Sequence, residues 1–387
     1  MMKSLFVRLL AIFLIFAFTM IYMGYSITNP SSALASEEVM PKVLIIITIL
    51  TIFIAVFLLN IKTKKYSINM AEQEIPEKFN EMYVSLNQSY IFELEQSRKK
   101  VRIRTIIANV LLSIFLLAYM VSDFKGNLFS PEIDSAISIA GIITIPIYLI
   151  VLVKNYKYKQ NYEKMYKNNV LKEFIKLINE KIIYKPEDIL NAYSLQKEYV
   201  EATFDNKDFN RFSADDYLEG YLDETTFIKM IDIDVKKVTG SGKNRNVEEI
   251  FTGLYATTIS DKNIKSYVRI TRDKKDFFGG QDRIQMDSQE FEEIFNVYSD
   301  DRILATRLLT ADIMQMLIEF YNKYKLMFEI VIKKDNIYLR FNTGPMFEPK
   351  IFGNSMDKEL LYVYYCILEF ILQLTKQVNK TVKEIDV

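Results

Sequence analysis

Four apolar stretches crowd into the first 153 residues, and nothing like them follows: Leu9–Tyr25, Val43–Ile61, Thr105–Val121 and Ala136–Val153. Each approaches the ~20 residues that a helix needs to cross ~30 Å of hydrocarbon. None contains Asp, Glu, Lys or Arg, and a charge at mid-span costs roughly 2.5–3.5 kcal/mol on the insertion scale. The pattern predicts a membrane all-α part of four transmembrane helices, joined to a cytoplasmic α+β domain with an antiparallel sheet. The segments follow: 1–61, a first transmembrane helix pair; 62–104, a cytoplasmic helical loop; 105–153, a second pair; and 154–387, the α+β domain.

Basic residues set the expected orientation. Lys62, Lys64, Lys65 and Lys78, then Arg98, Lys99, Lys100, Arg102 and Arg104, lie between the second and third stretches. The first linker has Lys42 and the third has Lys125, while Lys154, Lys157 and Lys159 follow the last stretch. A multi-pass cell-membrane protein with both termini cytoplasmic is the expectation. The first stretch also reads as a signal peptide cleaved after Ala33-Leu34-Ala35, which leaves the fate of the last domain unchanged.

Composition narrows the chemistry. Net charge is zero and the basic clusters flank apolar stretches, which favours a lipid bilayer over nucleic acid as a partner. Histidine is absent, so a Ser-His-Asp triad, Cys-His catalysis and imidazole metal ligands are ruled out. Cys366 is the single cysteine and lies in the apolar run Leu360–Leu374, as a buried thiol would.

Periodicity gives the elements. Pro76 suits a first helical turn, and Phe79, Met82, Tyr83, Leu86, Tyr90 and Leu94 recur at helical spacing. Tyr156–Ile183 continues as a helix, with Tyr162, Met165, Tyr166, Val170, Phe174, Leu177 and Ile178 as its stripe. Leu190–Phe212 reads as partly helical. Phe227–Val238 alternates as a strand, Glu249–Ser260 and Lys265–Arg272 are two more, and Gln281–Met286 is a short fourth. Met327–Lys333 and Ile337–Phe341 flank Lys334-Asp335-Asn336 as a hairpin. A final helix runs from about Ser355, its expected cap, to Lys380.

Few motifs carry chemistry. Gly240-Ser241-Gly242-Lys243 lacks the spacing of a phosphate loop, with Lys237 and Asn244 at the positions that need Gly and Ser or Thr, and reads as a hairpin tip. Asp232 and Asp234 share one strand face and offer oxygen ligands to a hard cation, or simply a solvated face. Asp300 and Asp301 are a second acidic pair. Asn109, Ser113, Ser138, Thr144 and Pro146 lie in the apolar stretches without an ionisable group to make an ion path.

From about Tyr162 to Phe352 the chain resembles a bacterial family, domain of unknown function 3137. The stretches that carry the resemblance are Tyr166-Lys167-Asn168-Asn169-Val170-Leu171, Ile183-Tyr184-Lys185-Pro186, Asp216-Tyr217-Leu218-Glu219-Gly220 and Phe251-Thr252-Gly253-Leu254. Phe291 to Asp301 with Ala305 and Leu308-Leu309-Thr310, then Ile337-Tyr338-Leu339 and Phe347-Glu348-Pro349, complete it. The resemblance implies N-terminal spans with a cytoplasmic domain behind them and brings no activity, catalytic residue or cofactor.

The expected function is therefore a binding or scaffold module at a membrane, with a membrane-protein partner or a homo-oligomer. A ligand-sensing or regulatory subunit is the alternative, and a carboxylate-dependent enzyme or a transporter comes behind both. No catalytic, cofactor or metal residue is assigned. The region of Asp300, Asp301 and Arg307 is the first place to look for a ligand.

Overall fold

The computed structural model describes residues 75–123, 131–187, 192–202, 209–272 and 283–385. The chain divides into two compact units: one holds residues 95–162 and 350–354, the other the remaining described residues.

The first unit is built on two helices, α1 (Glu77–Asp123) from Glu95 onward and α2 (Pro131–Met165) as far as Tyr162. Polar side chains join them. Asn155 Nδ2 donates to Thr105 Oγ1 at 3.0 Å, and the Arg104 guanidinium lies 3.5 Å from the centre of the Tyr158 ring. Residues 350–354 are tied to both helices, with Arg98 donating to the Ile351 carbonyl and Tyr162 to the Lys350 carbonyl.

The four-span expectation is corrected here. Leu9–Tyr25 and Val43–Ile61 lie outside the described residues. Thr105–Val121 falls on α1 and Ala136–Val153 on α2, but no helix among the described residues is long and apolar enough to cross a membrane. Each apolar window is a section of a longer helix whose charged turns run on without a break, Arg98 to Arg104 before one and Lys154 to Lys159 after the other. The membrane all-α part of the fold class, the multi-pass localisation and the cytoplasmic placement of the termini are withdrawn with it. What the chain has is an α+β fold around an antiparallel sheet.

That sheet fills the second unit. Its strands are β1 (Ile182–Lys185), β2 (Arg211–Tyr221), β3 (Phe227–Thr239), β4 (Asn246–Thr271), β5 (Arg283–Ile284), β6 (Asn296–Tyr298) and β7 (Phe328–Phe341). All pairings are antiparallel, in the order β1-β2-β3-β4-β6-β5, with β7 against β4. The Gly240–Lys243 segment is the tip of the β3–β4 hairpin, where Gly240 (φ 73°) and Gly242 (φ 56°) turn the chain.

Two expected breaks are absorbed into long strands. The polar triplet Lys334-Asp335-Asn336 does not close a hairpin, because β7 runs straight through it along β4. Lys334 takes φ 58°, and the register steps from Ile259 opposite Asn336 to Ile264 opposite Lys334. The extra residues of one strand match a kink in the other, so pairing resumes on both sides. β1 and β2 were not foreseen: β2 carries a bulge between Asp215 and Leu218 that spoils its alternation.

Helices cover both sheet faces. Ile231, Ile233 and Val235 of β3 form a cluster with Tyr217, Phe251, Tyr255, Val331 and Tyr338 and with Leu195, Tyr199 and Ala202 of α4 (Ala192–Ala202). By alternation, Asp232 is turned to the opposite face. α8 (Lys358–Glu384) packs against β4 and β7, its Phe370 lying 6.0 Å from Phe328 and 5.9 Å from Phe341 of β7 and stacking 3.7 Å from Phe320 of α7 (Ala311–Tyr324), and Cys366 is buried on it. Asp357 rather than Ser355 caps α8, accepting from the Leu360 amide at 3.0 Å. The first turns of α1 belong to this unit too. Phe79 meets Tyr362 and Tyr365, Tyr83 donates to the Met356 carbonyl, and Lys78 pairs with Glu369.

Candidate functional site

The second unit holds two places where chemistry converges. The first is a buried ion cluster. α2 does not end cleanly: residues Tyr166–Leu171 form a π turn that leads into α3 (Lys172–Ile178). The Lys172 amide bonds back to the Lys167 carbonyl, five residues earlier. Lys167 lies in the first part of that turn, beside the buried Tyr166, Val170 and Leu171. Lys167 is 8 % exposed. Its ammonium lies 2.9 Å from Asp215 Oδ2, 2.7 Å from Asp216 Oδ2 and 3.3 Å from Glu348 Oε1.

The carboxylates arrive by equally irregular backbone. Asp215 and Asp216 sit on the β2 bulge, and Asp216 takes φ 56°, a conformation that short polar side chains tolerate. Glu348 follows Phe347, whose φ of 62° is strained for an aromatic residue. Phe347 is held by Tyr184 on one side and Tyr364 of α8 on the other, at 6.0 and 5.2 Å between ring centres. The Tyr184 hydroxyl donates to Asp216 Oδ1.

Asp232 lies beside this group, opposite Asp215 in the β2–β3 register. It is 9 % exposed; its Oδ2 accepts from the Met346 amide at 2.7 Å, and its Oδ1 has no hydrogen-bond partner among the described residues. Gly253 lets the Met346–Glu348 segment come down here. A Cβ at Gly253 would stand 2.1 Å from the Phe341 carbonyl oxygen and 2.7 Å from the Thr343 amide nitrogen.

Burial and charge set the protonation pattern. Burial lifts Asp216 to about 7, against the pull of Lys167 and with a push from Asp215. Burial lifts Asp232 well above the carboxylate range, opposed by the Met346 amide and helped by Asp216, Glu348 and Asp215. For Lys167, burial works downward, but the Asp216 and Glu348 carboxylates outweigh it and raise the ammonium.

The second place is a small cleft on the α4 face. Tyr217, Ile231 and Tyr255 make its floor, with Lys229 and Thr257 beside them and Leu195 and Glu198 of α4 as its wall. The cavity is about 80 Å³. Tyr255 donates to Glu198 Oε1 at 3.3 Å, and Tyr217 donates to Glu219 Oε2 at 2.6 Å. Behind it, Arg340 is paired with the buried Glu329, which also binds Arg269, and it donates to Tyr199.

The expected ligand region lies elsewhere and is occupied with tying the chain. Asp301 caps α6 (Arg302–Leu308), accepting from the Leu304 amide at 3.0 Å. Asp300 accepts from Ser266 Oγ and from the Tyr267 amide, fastening the β6–α6 turn to β4. Arg307 is exposed in the last turn of α6. Asp301→Ala should therefore lower stability by about 1 kcal/mol in a denaturant melt, the ordinary loss for a helix cap. A change below a few tenths would show that the cap is not needed. Of the Asp232 and Asp234 pair, only Asp232 joins the cluster. Asp234 accepts from Thr252 Oγ1 and pairs with Lys236.

Residues 249–380 match the family described as Protein of unknown function (DUF3137). This is the family named by the sequence motifs. The match begins in β4, later than the motifs suggested, and reaches well into α8. Gly253, Met346 and Glu348 lie inside it, while Lys167, Tyr184, Asp215, Asp216 and Asp232 lie before it. The family is one of unknown function. No curated protein and no solved structure matches the chain.

Proposed function

We propose that the chain is a protein-binding module that anchors one polar side chain of its partner in the α4 cleft. The size of the cleft supports this reading. Sites for small metabolites and drug-like molecules run to roughly 300–1,000 Å³, and an engineered cavity that takes benzene measures about 150 Å³. A space of about 80 Å³ has room for a single head group. Anchors of this kind, an aromatic floor ringed by a few polar groups, concentrate binding energy in protein interfaces. Here the phenols of Tyr217 and Tyr255, the Glu198 carboxylate, the Lys229 ammonium and the Thr257 hydroxyl give the occupant donors and acceptors. The reading needs no reacting group, in keeping with a chain that has no histidine and whose one thiol is buried and raised in pKa by that burial.

A photo-reactive amino acid placed at Glu198 tests it. In intact cells the full chain should form a covalent adduct with a protein partner. That adduct should vanish when Thr257→Tyr fills the cleft, while the melting curve changes little. Failure to form any protein adduct, or an adduct that survives the filled cleft, would sink the proposal.

A further inference from the structure

We infer that the anchor the α4 cleft takes is a carboxamide, the side chain of a glutamine or asparagine, set among apolar residues of the partner. The inference rests on the cleft being a protein anchor site and adds the chemistry of its occupant. The strand register shows where the cleft lies. Ile183, Glu219, Lys229, Thr257 and Tyr338 stand opposite one another across β1, β2, β3, β4 and β7, so their side chains share one face. Two residues along the strands on that face, Ile231 and Tyr255 are paired, and from there on α4 covers the sheet through Leu195 and Tyr199. In the other direction the face is open. Tyr221 is opposite Phe227, and Ile183, Tyr221 and Ile259 are exposed. The cleft is thus the margin of α4, with uncovered apolar side chains beside it.

Two charges that line the cleft are unmatched. The Lys229 ammonium makes no hydrogen bond or ion pair among the described residues. Glu219, its register neighbour, already accepts from Lys185 at 2.7 Å and from Tyr217 at 2.6 Å. Glu198, on the α4 wall, accepts one long bond, from Tyr255 at 3.3 Å, and no ion pair joins it to Lys229. An occupant therefore has to accept from the ammonium and donate to the carboxylate. A carboxylate suits Lys229 and is repelled by Glu198. An ammonium or guanidinium suits Glu198 and is repelled by Lys229, and like charges set together in an interface are costly. A hydroxyl must serve both from a single oxygen. A carboxamide has an oxygen for Lys229 and an NH₂ for Glu198, and it brings no charge into the cleft. Both of its bonds are then to ionised groups, the stronger kind. The exposed Ile183, Tyr221 and Ile259 call for apolar neighbours on either side of that amide.

Random peptides displayed on phage and selected on the purified full-length chain test this. Those that bind the parent but not Thr257→Tyr should share a glutamine or asparagine with apolar neighbours. Changing that residue of the peptide to glutamate or lysine should weaken binding at least about tenfold, the scale of one hydrogen bond to a charged group. Glu198→Gln should then restore the glutamate peptide and Lys229→Met the lysine peptide, because each removes the charge that repels it. Ile183→Ser should weaken the original peptides. Cleft-dependent peptides with a charged or hydroxyl-bearing anchor, or charge swaps that restore nothing, would overturn the carboxamide and leave the cleft as an anchor site. Unchanged binding by Ile183→Ser would overturn the apolar neighbours. If no peptide depends on an open cleft, this inference and the anchor reading fall together. Should Thr257→Tyr not fold, the swaps at Glu198 and Lys229, both partly exposed, decide alone.

Discussion

Gly253→Ala should cost about 3 kcal/mol or more in a chemical melt, above the usual range for an overpacked site. The space a methyl group would need is taken by backbone, the Phe341 carbonyl and the Thr343 amide, and backbone cannot rotate away. The damage should spread beyond the clash. The Gly344 amide bonds to the Thr252 carbonyl, and two residues on Met346 reaches Asp232. Lifting the chain off β4 would withdraw Met346 and Glu348 from the ion cluster. Gly242→Asn is the control: nothing lies within 4 Å of its missing Cβ, and Asn tolerates the left-handed backbone. That variant should stay within about 1 kcal/mol of the parent. Equal losses at the two glycines would refute the packing argument.

Stability should fall as pH rises from about 4 to about 7 in metal-free buffer, at up to about 1.4 kcal/mol per pH unit. Asp216 moves from an ordinary 3.8 up to about 7 in the fold because burial disfavours its charge, so between those values the native state holds a proton that the unfolded chain has released. The stabilisation is complete below the unfolded value and gone once the folded value is passed. Asp232 is displaced in the same direction and should steepen or extend the decline. Lys167 is raised above its usual 10.5 and contributes throughout this window, losing its effect only in strong alkali. Asp223, lowered to about 2 despite the upward push of burial by the amides of Thr225 and Thr226, acts at the acid end and does not mask the trend. Denaturant melts across the range should show the decline and a flatter profile in Asp216→Asn. Unchanged slopes in that variant would remove Asp216 from the account.

The strand pattern of β3 and the helical stripe of α1 were readable because each side chain's fate follows from a regular repeat. The cluster at Lys167 was not, because it is assembled by a strand bulge and by contacts between segments far apart in sequence. Helical spacing sets Lys167 beside apolar positions, but nothing in it shows which carboxylates the ammonium meets; those come from β2 and from the chain near Glu348. The β2 bulge sets Asp215 and Asp216 side by side under one ammonium, and an extra residue in a strand leaves no periodic trace. Asp232 could be singled out as a carboxylate in a strand, but its burial comes from a segment more than a hundred residues away. Gly253 was visible within a motif, while the reason for it, the chain crossing above, is a tertiary fact. Asp300 and Asp301 stood out within the stretch that carries the family resemblance, and Asp301 caps the helix that follows.

The docking of Phe79 on Tyr362 and Tyr365 has a consequence for synthesis. A ribosome adds residues in order, so Phe79 leaves it almost 300 residues before the surface that shelters it. Through that interval Phe79, Met82 and Leu86, all buried in the finished protein, have no α8 to rest on. Non-local contacts of this kind slow folding and prolong the exposure of sticky surface. The N-terminal turns of α1 thus complete their burial only when translation is nearly finished.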